Sequence, residues 1–223
     1  MKKYLVLSFD DGTTADKRVI EILNSKGLKG TFNLNTGLQD YKYYMEGKLV
    51  ERLDLKANKH LYDSHEVASH TLTHANLFKI SEEEMEKEVL EDIKNIEEIF
   101  GRKVTSIGIP YGDYDEERLM KIKAMTQLKC FRHPMMVDKG DYHKPADPYH
   151  VGKCAIYDDA DVFEKIRLFE EGQEDGIFIL LADPYKIEVY NKWEHFNKLI
   201  DYIAASKAFE VKTMTDACRL MFE

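Results

Sequence analysis

Apolar residues along this chain fall into short continuous runs that alternate with helical stripes. Tyr4-Leu5-Val6-Leu7 is such a run, ending at Ser8-Phe9-Asp10-Asp11-Gly12, as expected of a strand buried on both faces. Val19, Ile20, Ile22 and Leu23 follow at helical spacing with Gly27 placed to close the helix, and Gly30-Thr31-Phe32-Asn33-Leu34 reads as a second strand. Residues 39–64, with Tyr41, Tyr43, Tyr44, Leu49 and Leu53, are less regular and read as a partly helical insertion at the rim. His65-Glu66-Val67-Ala68-Ser69 gives a third strand. Ser81 with Glu84 forms a capping-box signature for a long helix, whose stripe is Met85, Val89, Ile93, Ile96 and Phe100 and whose end is Gly101. Acids crowd its first turn, and its charged positions read as a solvated face.

The alternation continues to the C-terminus. Thr105-Ser106-Ile107-Gly108-Ile109 reads as a strand that stops at Pro110-Tyr111-Gly112, followed by a helix over 114–126 and a short strand near Lys129-Cys130-Phe131. After a loop containing Pro134, Pro145 and Pro148, strands near 151–156 and 176–181 bracket a helix over 160–171. A helix over 191–205, a strand over 209–212 and a helix over 214–222 complete the pattern. Strands alternating with helices imply an α/β fold with a largely parallel sheet, which barrel closure would bury on both sides. The length of 223 residues suits one domain over 1–223, and in such a fold active residues sit at strand C-termini.

The net charge is -9, with Lys and Arg scattered among acids, so the basic stripe of a nucleic-acid binder is missing and a neutral or cationic substrate fits better. No apolar run approaches the roughly eighteen residues of a membrane span. Cys130, Cys154 and Cys218 are odd in number and widely spaced, which favours reduced thiols over a disulfide framework or a thiolate metal site. Met1-Lys2-Lys3 leads into an apolar run too short for a secretory signal, so the expected location is cytoplasmic. Nothing in the pattern specifies an oligomeric state.

The chemistry concentrates at strand ends. Asp10 and Asp11 are adjacent carboxylates, costly to bury without a metal, a proton or hydrogen-bond donors. In Ser69-His70-Thr71-Leu72-Thr73-His74, two imidazoles stand four positions apart, and one carboxylate with two imidazoles makes a three-ligand metal site that leaves room for water. An Asp-Asp-Gly alone is usually a turn and a His pair alone usually one polar face. Their shared placement at strand ends is what marks a site. His60, His65, His133, His143, His150 and His195 have no such support and default to surface or core roles.

Ser8-Phe9-Asp10-Asp11-Gly12, His70-Thr71-Leu72-Thr73-His74 and Pro110-Tyr111-Gly112 resemble, in order and spacing, the first three motifs of the polysaccharide deacetylases, the NodB-homology domain of carbohydrate esterase family 4. The resemblance is strong in the first half of the chain and loose beyond residue 112. It implies an irregular, TIM-like (β/α) barrel. It also implies that Asp11, His70 and His74 bind a divalent cation, usually Zn²⁺, with Co²⁺, Mn²⁺ or Ni²⁺ as alternatives. Asp10 is then the general base for the attacking water, and the Tyr111 N–H faces the developing oxyanion. The implied activity is hydrolysis of a non-peptide carbon–nitrogen bond, removing acetyl from an N- or O-acetylated saccharide or a related small amide.

Two positions depart from the family pattern. The arginine that opens the third motif and orients the base is Gly108 here, and Arg132, after the next strand, is the expected replacement. The acid histidine of the last motif is also missing. The run Ile177-Phe178-Ile179-Leu180-Leu181 leads into Ala182 or Asp183 at that position, and Asp183 donates a proton only if its pKa is raised. A preference for esters, or use of His133 or His143, are the other ways around this loss. The competing expectation is a catalytically impaired relative that keeps the barrel as a metal- or carbohydrate-binding protein.

Overall fold

A computed structural model describes all of residues 1–223. In its first half, β1 (Lys3–Asp10), α1 (Asp16–Ser25), β2 (Thr31–Leu34), the hairpin β3 (Lys42–Met45) and β4 (Lys48–Glu51), and the short α2 (Leu55–Asn58) lead to β5 (Glu66–Ser69). Then come α3 (Glu82–Phe100), β6 (Ser106–Gly108), α4 (Glu116–Met125), β7 (Cys130–Met136), β8 (Val151–Lys153) and β9 (Ala155–Ile156). The chain ends with α5 (Val162–Glu171), β10 (Gly176–Ala182), α6 (Pro184–Val189), α7 (Trp193–Ala205), β11 (Glu210–Lys212) and α8 (Met214–Phe222).

The main sheet runs β8-β7-β6-β5-β2-β1-β10-β9, with β11 added to β1 and every pairing parallel. Its two edges, β8 and β9, are consecutive in the chain, and between them the Cys154 N–H donates to the Ile179 carbonyl of β10 at 2.9 Å. The sheet therefore curls almost shut into the irregular (β/α) barrel expected from the sequence. No helix is long and apolar enough to cross a membrane.

Strand alternation divides the core. Leu5, Leu7 and Phe9 of β1 pack outward into the large cluster with the helices. Tyr4 and Val6 point inward with Cys130, Val151, Ile177 and Ile179, where Met214, Ala217, Cys218 and Met221 of α8 plug the barrel. The plug lies at the strands' N-terminal ends, since Met214 N–H donates to Thr31 Oγ1 at 2.8 Å and Thr215 N–H to Glu66 Oε2 at 3.1 Å. Beyond it the inner face of β1 turns polar, at Ser8 and Asp10. The apolar end holds the barrel together and leaves the C-terminal end for chemistry.

The capping box of α3 is present with Gly101 at its end in the left-handed conformation, and residues 191–205 are helical from Trp193. Four readings change. Residues 39–64 keep the partly helical character in short turns such as α2 but begin with a hairpin, turned at Glu46 and Gly47 (φ 49° and 72°), that the pattern did not show. An X-Gly pair in this conformation suits a two-residue hairpin turn. Pro134 lies within β7 rather than a loop; the register between β7 and β8 shifts between Arg132 and Met136, which accommodates a residue with no N–H. Pro184 starts the unforeseen α6, where its missing N–H costs nothing. Finally, Asp92 is fully buried although the charges of α3 read as solvated.

Asp16, also buried, ties α1 to the turn before β5: it accepts from the Thr13 N–H and from the Tyr62 hydroxyl at 2.9 Å. Burial, partly offset by those donors, pushes its pKa up from the ordinary 3.8 to about 7. A carboxyl whose pKa is higher folded than unfolded keeps its proton longer in the folded state, so stability falls as pH rises through that window. Between pH 5 and 8 the folded protein should lose about 3 kcal/mol from this group. Urea unfolding of Asp16→Asn across that range should lack this slope, and parallel curves for the two proteins would exclude the assignment.

Candidate active site

Asp10 ends β1 on the inner face, and its carboxylate is held from two other strands. Arg132 of β7 grips it with two donors, Nη1 to Oδ1 at 2.6 Å and Nη2 to Oδ2 at 2.8 Å, while Asn33 Nδ2 of β2 donates to Oδ1 at 2.8 Å. Ser8 Oγ accepts from both Arg132 Nη1 and Asn33 Nδ2 at 2.9 Å. Gly108 makes this possible: a Cβ there would stand 2.8 Å from Arg132 Nη2 and 2.8 Å from Asn33 Cγ. The arginine thus fills the space that the missing side chain leaves. Burial alone would raise the Asp10 pKa, but Arg132, the His70 ring and Asn33 hold it well below the usual carboxylate range.

Asp11, one residue on, sits at φ 88°, a left-handed conformation rarely taken by anything but glycine, asparagine or aspartate. Its N–H donates to the Asn33 carbonyl at 2.9 Å, and Arg52 Nη1 donates to its carbonyl oxygen. Thr71, His74 and Tyr111 also have positive φ (67°, 57° and 61°), so backbone strain gathers in the three loops that carry the motifs. The surrounding structure must enforce it. Asp92 of α3 does so at the histidine loop, accepting from Ser69 Oγ at 2.6 Å, the Thr36 N–H at 2.8 Å and the His70 N–H at 3.3 Å. Glu88 accepts from the Thr73 N–H at 2.8 Å.

Asp11, His70 and His74 offer ligand atoms that all lie within 4.8 Å of one another. His70 Nδ1 is 2.5 Å from the Gly108 carbonyl, which can only accept, so the proton is on Nδ1 and Nε2 carries a free lone pair. Burial lowers the His70 pKa to about 4, keeping the ring neutral. His70 Nε2 and Asp11 Oδ1 are both buried without a hydrogen-bond partner. Arg52 Nη1 does lie 3.0 Å from Oδ1, but it is aimed at the Asp11 carbonyl and at Asn35 Oδ1, so the carboxylate oxygen keeps its open side. Two orphaned acceptors and the His74 imidazole converging on one point fit a small divalent cation.

The Tyr111 ring packs against His74 at 4.8 Å between centroids, and its backbone N–H donates to no group in the protein. Ala182 packs in the outer cluster, so alternation turns Asp183, the next residue, toward the Asp10 side. Burial and the Asp10 charge raise the Asp183 pKa, but Lys186 Nζ stands 2.5 Å from its Oδ2. Neither histidine alternative enters the cleft. His133, next to Arg132, faces the other way and packs on Tyr114 and His150; His143 pairs with Asp141 beside Lys3, at the plugged end. Sequence reasoning passed over Arg52, Asn33 and Asp92. Only Asp92 carried a signal, standing in step with Met85, Val89 and Ile96 on the buried stripe.

Comparison with known proteins identifies the family and the fold. A family model described as polysaccharide deacetylase matches residues 1–128, more than half of the chain. A peptidoglycan-N-acetylglucosamine deacetylase from Bacillus cereus is 23% identical over 120 residues, 53% of this chain but only 40% of that relative, so the match spans less than half of its length. Among solved structures, the carbohydrate esterase family 4 domain of a multidomain xylanase from the hindgut metagenome of Trinervitermes trinervoides superposes with TM-score 0.62 at 16% identity, covering 99% of this chain and 91% of that one. A family 4 pseudoenzyme from Bacillus anthracis superposes with TM-score 0.59 at 18% identity, covering 97% and 66%. At such identities the two structures report the fold alone.

Proposed function

Because the chain belongs to the polysaccharide deacetylase family, we propose that it is a metal-dependent hydrolase that removes acetyl from an N-acetylated saccharide, or from an O-acetylated saccharide or related small amide. Asp11, His70 and His74 would hold the cation, with Zn²⁺ the best match to two imidazoles and one carboxylate. A bound divalent cation supplies Lewis acidity, lowering the pKa of water toward about 7 and polarising the acetyl carbonyl. Asp10 accepts the proton of the attacking water, and Arg132 and Asn33 fix which way its carboxylate faces. The free Tyr111 N–H donates to the developing oxyanion, a contribution of roughly 3 to 4 kcal/mol for a well-placed donor.

The observation that carries this reading is the two-pronged Arg132–Asp10 pair, which supplies from β7 the orienting cation that Gly108 lacks. The Lys186–Asp183 pair favours a second reading, a catalytically impaired relative that binds metal or carbohydrate, because the residue at the acid position is already engaged by a cation.

Metal analysis and hydrolysis of an N-acetylated oligosaccharide, with and without chelator, decide between them. We expect about one zinc per chain and turnover that chelator abolishes and zinc restores. Zinc without chelator-sensitive turnover would establish the second reading, and protein that takes up no zinc or cobalt would refute both.

A further inference from the structure

Asp183 keeps a raised pKa but is held by Lys186, and both candidate histidines lie outside the cleft, so a second proton source for the departing amine is worth seeking. One cation on the inner face has no role yet. Val151 of β8 packs in the inner apolar cluster, so strand alternation turns Gly152 outward and Lys153 inward again, at the strand's C-terminal end. Lys153 Nζ reaches the Tyr111 carbonyl at 3.3 Å and lies in ion-pair contact with no carboxylate. The charged groups facing it are Arg132 from β7, Asp10 from β1 and Asp183 after β10, the last already engaged by Lys186. An ammonium thus stands over the cleft beside the residue whose N–H faces the oxyanion.

We propose that Lys153 is the general acid of this site, giving an Nζ proton to the leaving nitrogen of the substrate amide. The assignment rests on the deacetylase reading and completes it. As the water oxygen bonds to the acetyl carbon, one water proton passes to Asp10. The carbon–nitrogen bond then breaks, leaving its electron pair on nitrogen, and that nitrogen takes the Lys153 proton. Acetic acid and the free amine depart, and Asp10 returns its proton through solvent to the Lys153 amine.

The surroundings suit this role. Burial first, and then the Arg132 charge, lower the Lys153 pKa to about 8, against the pull of Asp10 and Asp183. The group is therefore mostly protonated at neutral pH yet gives up its proton more readily than an ordinary lysine. Donation is available below that pKa and is lost above it. A surface lysine with no role would show neither the inward placement nor the lowered pKa.

The zinc-loaded protein, K153M and K153R should be assayed on an N-acetylated chito-oligosaccharide and on 4-nitrophenyl acetate, whose phenolate departs without a proton. Arginine keeps the charge but does not release a proton near neutrality. Both variants should lose roughly 10²- to 10³-fold in kcat/KM on the amide, less than about tenfold on the ester, and the alkaline limb of the amide profile. In metal-free protein labelled by reductive ¹³C-methylation, the resonance absent from K153M should titrate near 8. Amide hydrolysis retained by K153R, or equal losses on the two substrates, overturns the assignment and leaves the deacetylase reading standing. Zinc-bound unaltered protein inert to both substrates overturns the reading itself, and this assignment with it.

Discussion

Arg132→Met should lower turnover by roughly 10²- to 10³-fold while zinc content stays the same, because the substitution touches the base and none of the proposed ligands. The side chain is 3% exposed and spends two donors on Asp10 and one on Ser8. Methionine fills much of the same volume, so the loss is chiefly of charge and direction. Asp10 would then be a buried carboxylate with only Asn33 and the His70 edge beside it, and it would bind a proton more tightly. Removing one partner of a buried ion pair typically costs about 3 to 5 kcal/mol, so thermal unfolding should move down as well. Turnover measured at a temperature where the variant is fully folded separates the two effects. Turnover equal to that of the unaltered protein there would remove Arg132 from the mechanism, and parallel loss of zinc would make it a support for the metal site instead.

His70→Ala should abolish both metal binding and turnover. Its ring is 1% exposed, oriented by the Gly108 carbonyl, and its Nε2 has no partner in the protein. Loss of an outer-shell partner of a metal site costs roughly 10- to 100-fold in affinity, and loss of a ligand from a three-residue set costs more. Equilibrium competition against a chromophoric chelator measures this directly, without an assay of activity. Asp92→Asn is the graded control, since Asp92 holds the backbone of the histidine loop rather than the ligand itself, and it should fall in the 10- to 100-fold range. If His70→Ala bound zinc as tightly as the unaltered chain, the three residues would not be its site.

How much of this could be read from sequence depended on whether the information was local. The α3 helix announces itself through Ser81, Glu84 and an apolar stripe, all within one helix, and the ligand set through two short motifs at strand ends. Arg132 was legible as a cation following the right strand, and the structure brings it to Asp10. What could not be read was reciprocity across the barrel: that the empty side chain at Gly108 is the space the guanidinium occupies. Arg52 was hidden for the same reason, because its partners, Asp11 and Asn35, are remote in sequence and its own segment forms a hairpin that was read as partly helical. Lys153 lay in a strand foreseen near the right place. Its inward direction follows only once Val151 is known to face the barrel interior and closure has brought β7 and β10 around it.

The fit between Gly108 and Arg132 also constrains how this sequence can change. An arginine introduced at 108 would collide with the guanidinium already present and with Asn33, because even a methyl group there stands 2.8 Å from both. Removing Arg132 first would strand the Asp10 charge in the barrel. Either order of single steps between this arrangement and one with the arginine on β6 passes through a crippled intermediate. Relatives that share glycine at 108 should therefore carry arginine at 132 with it.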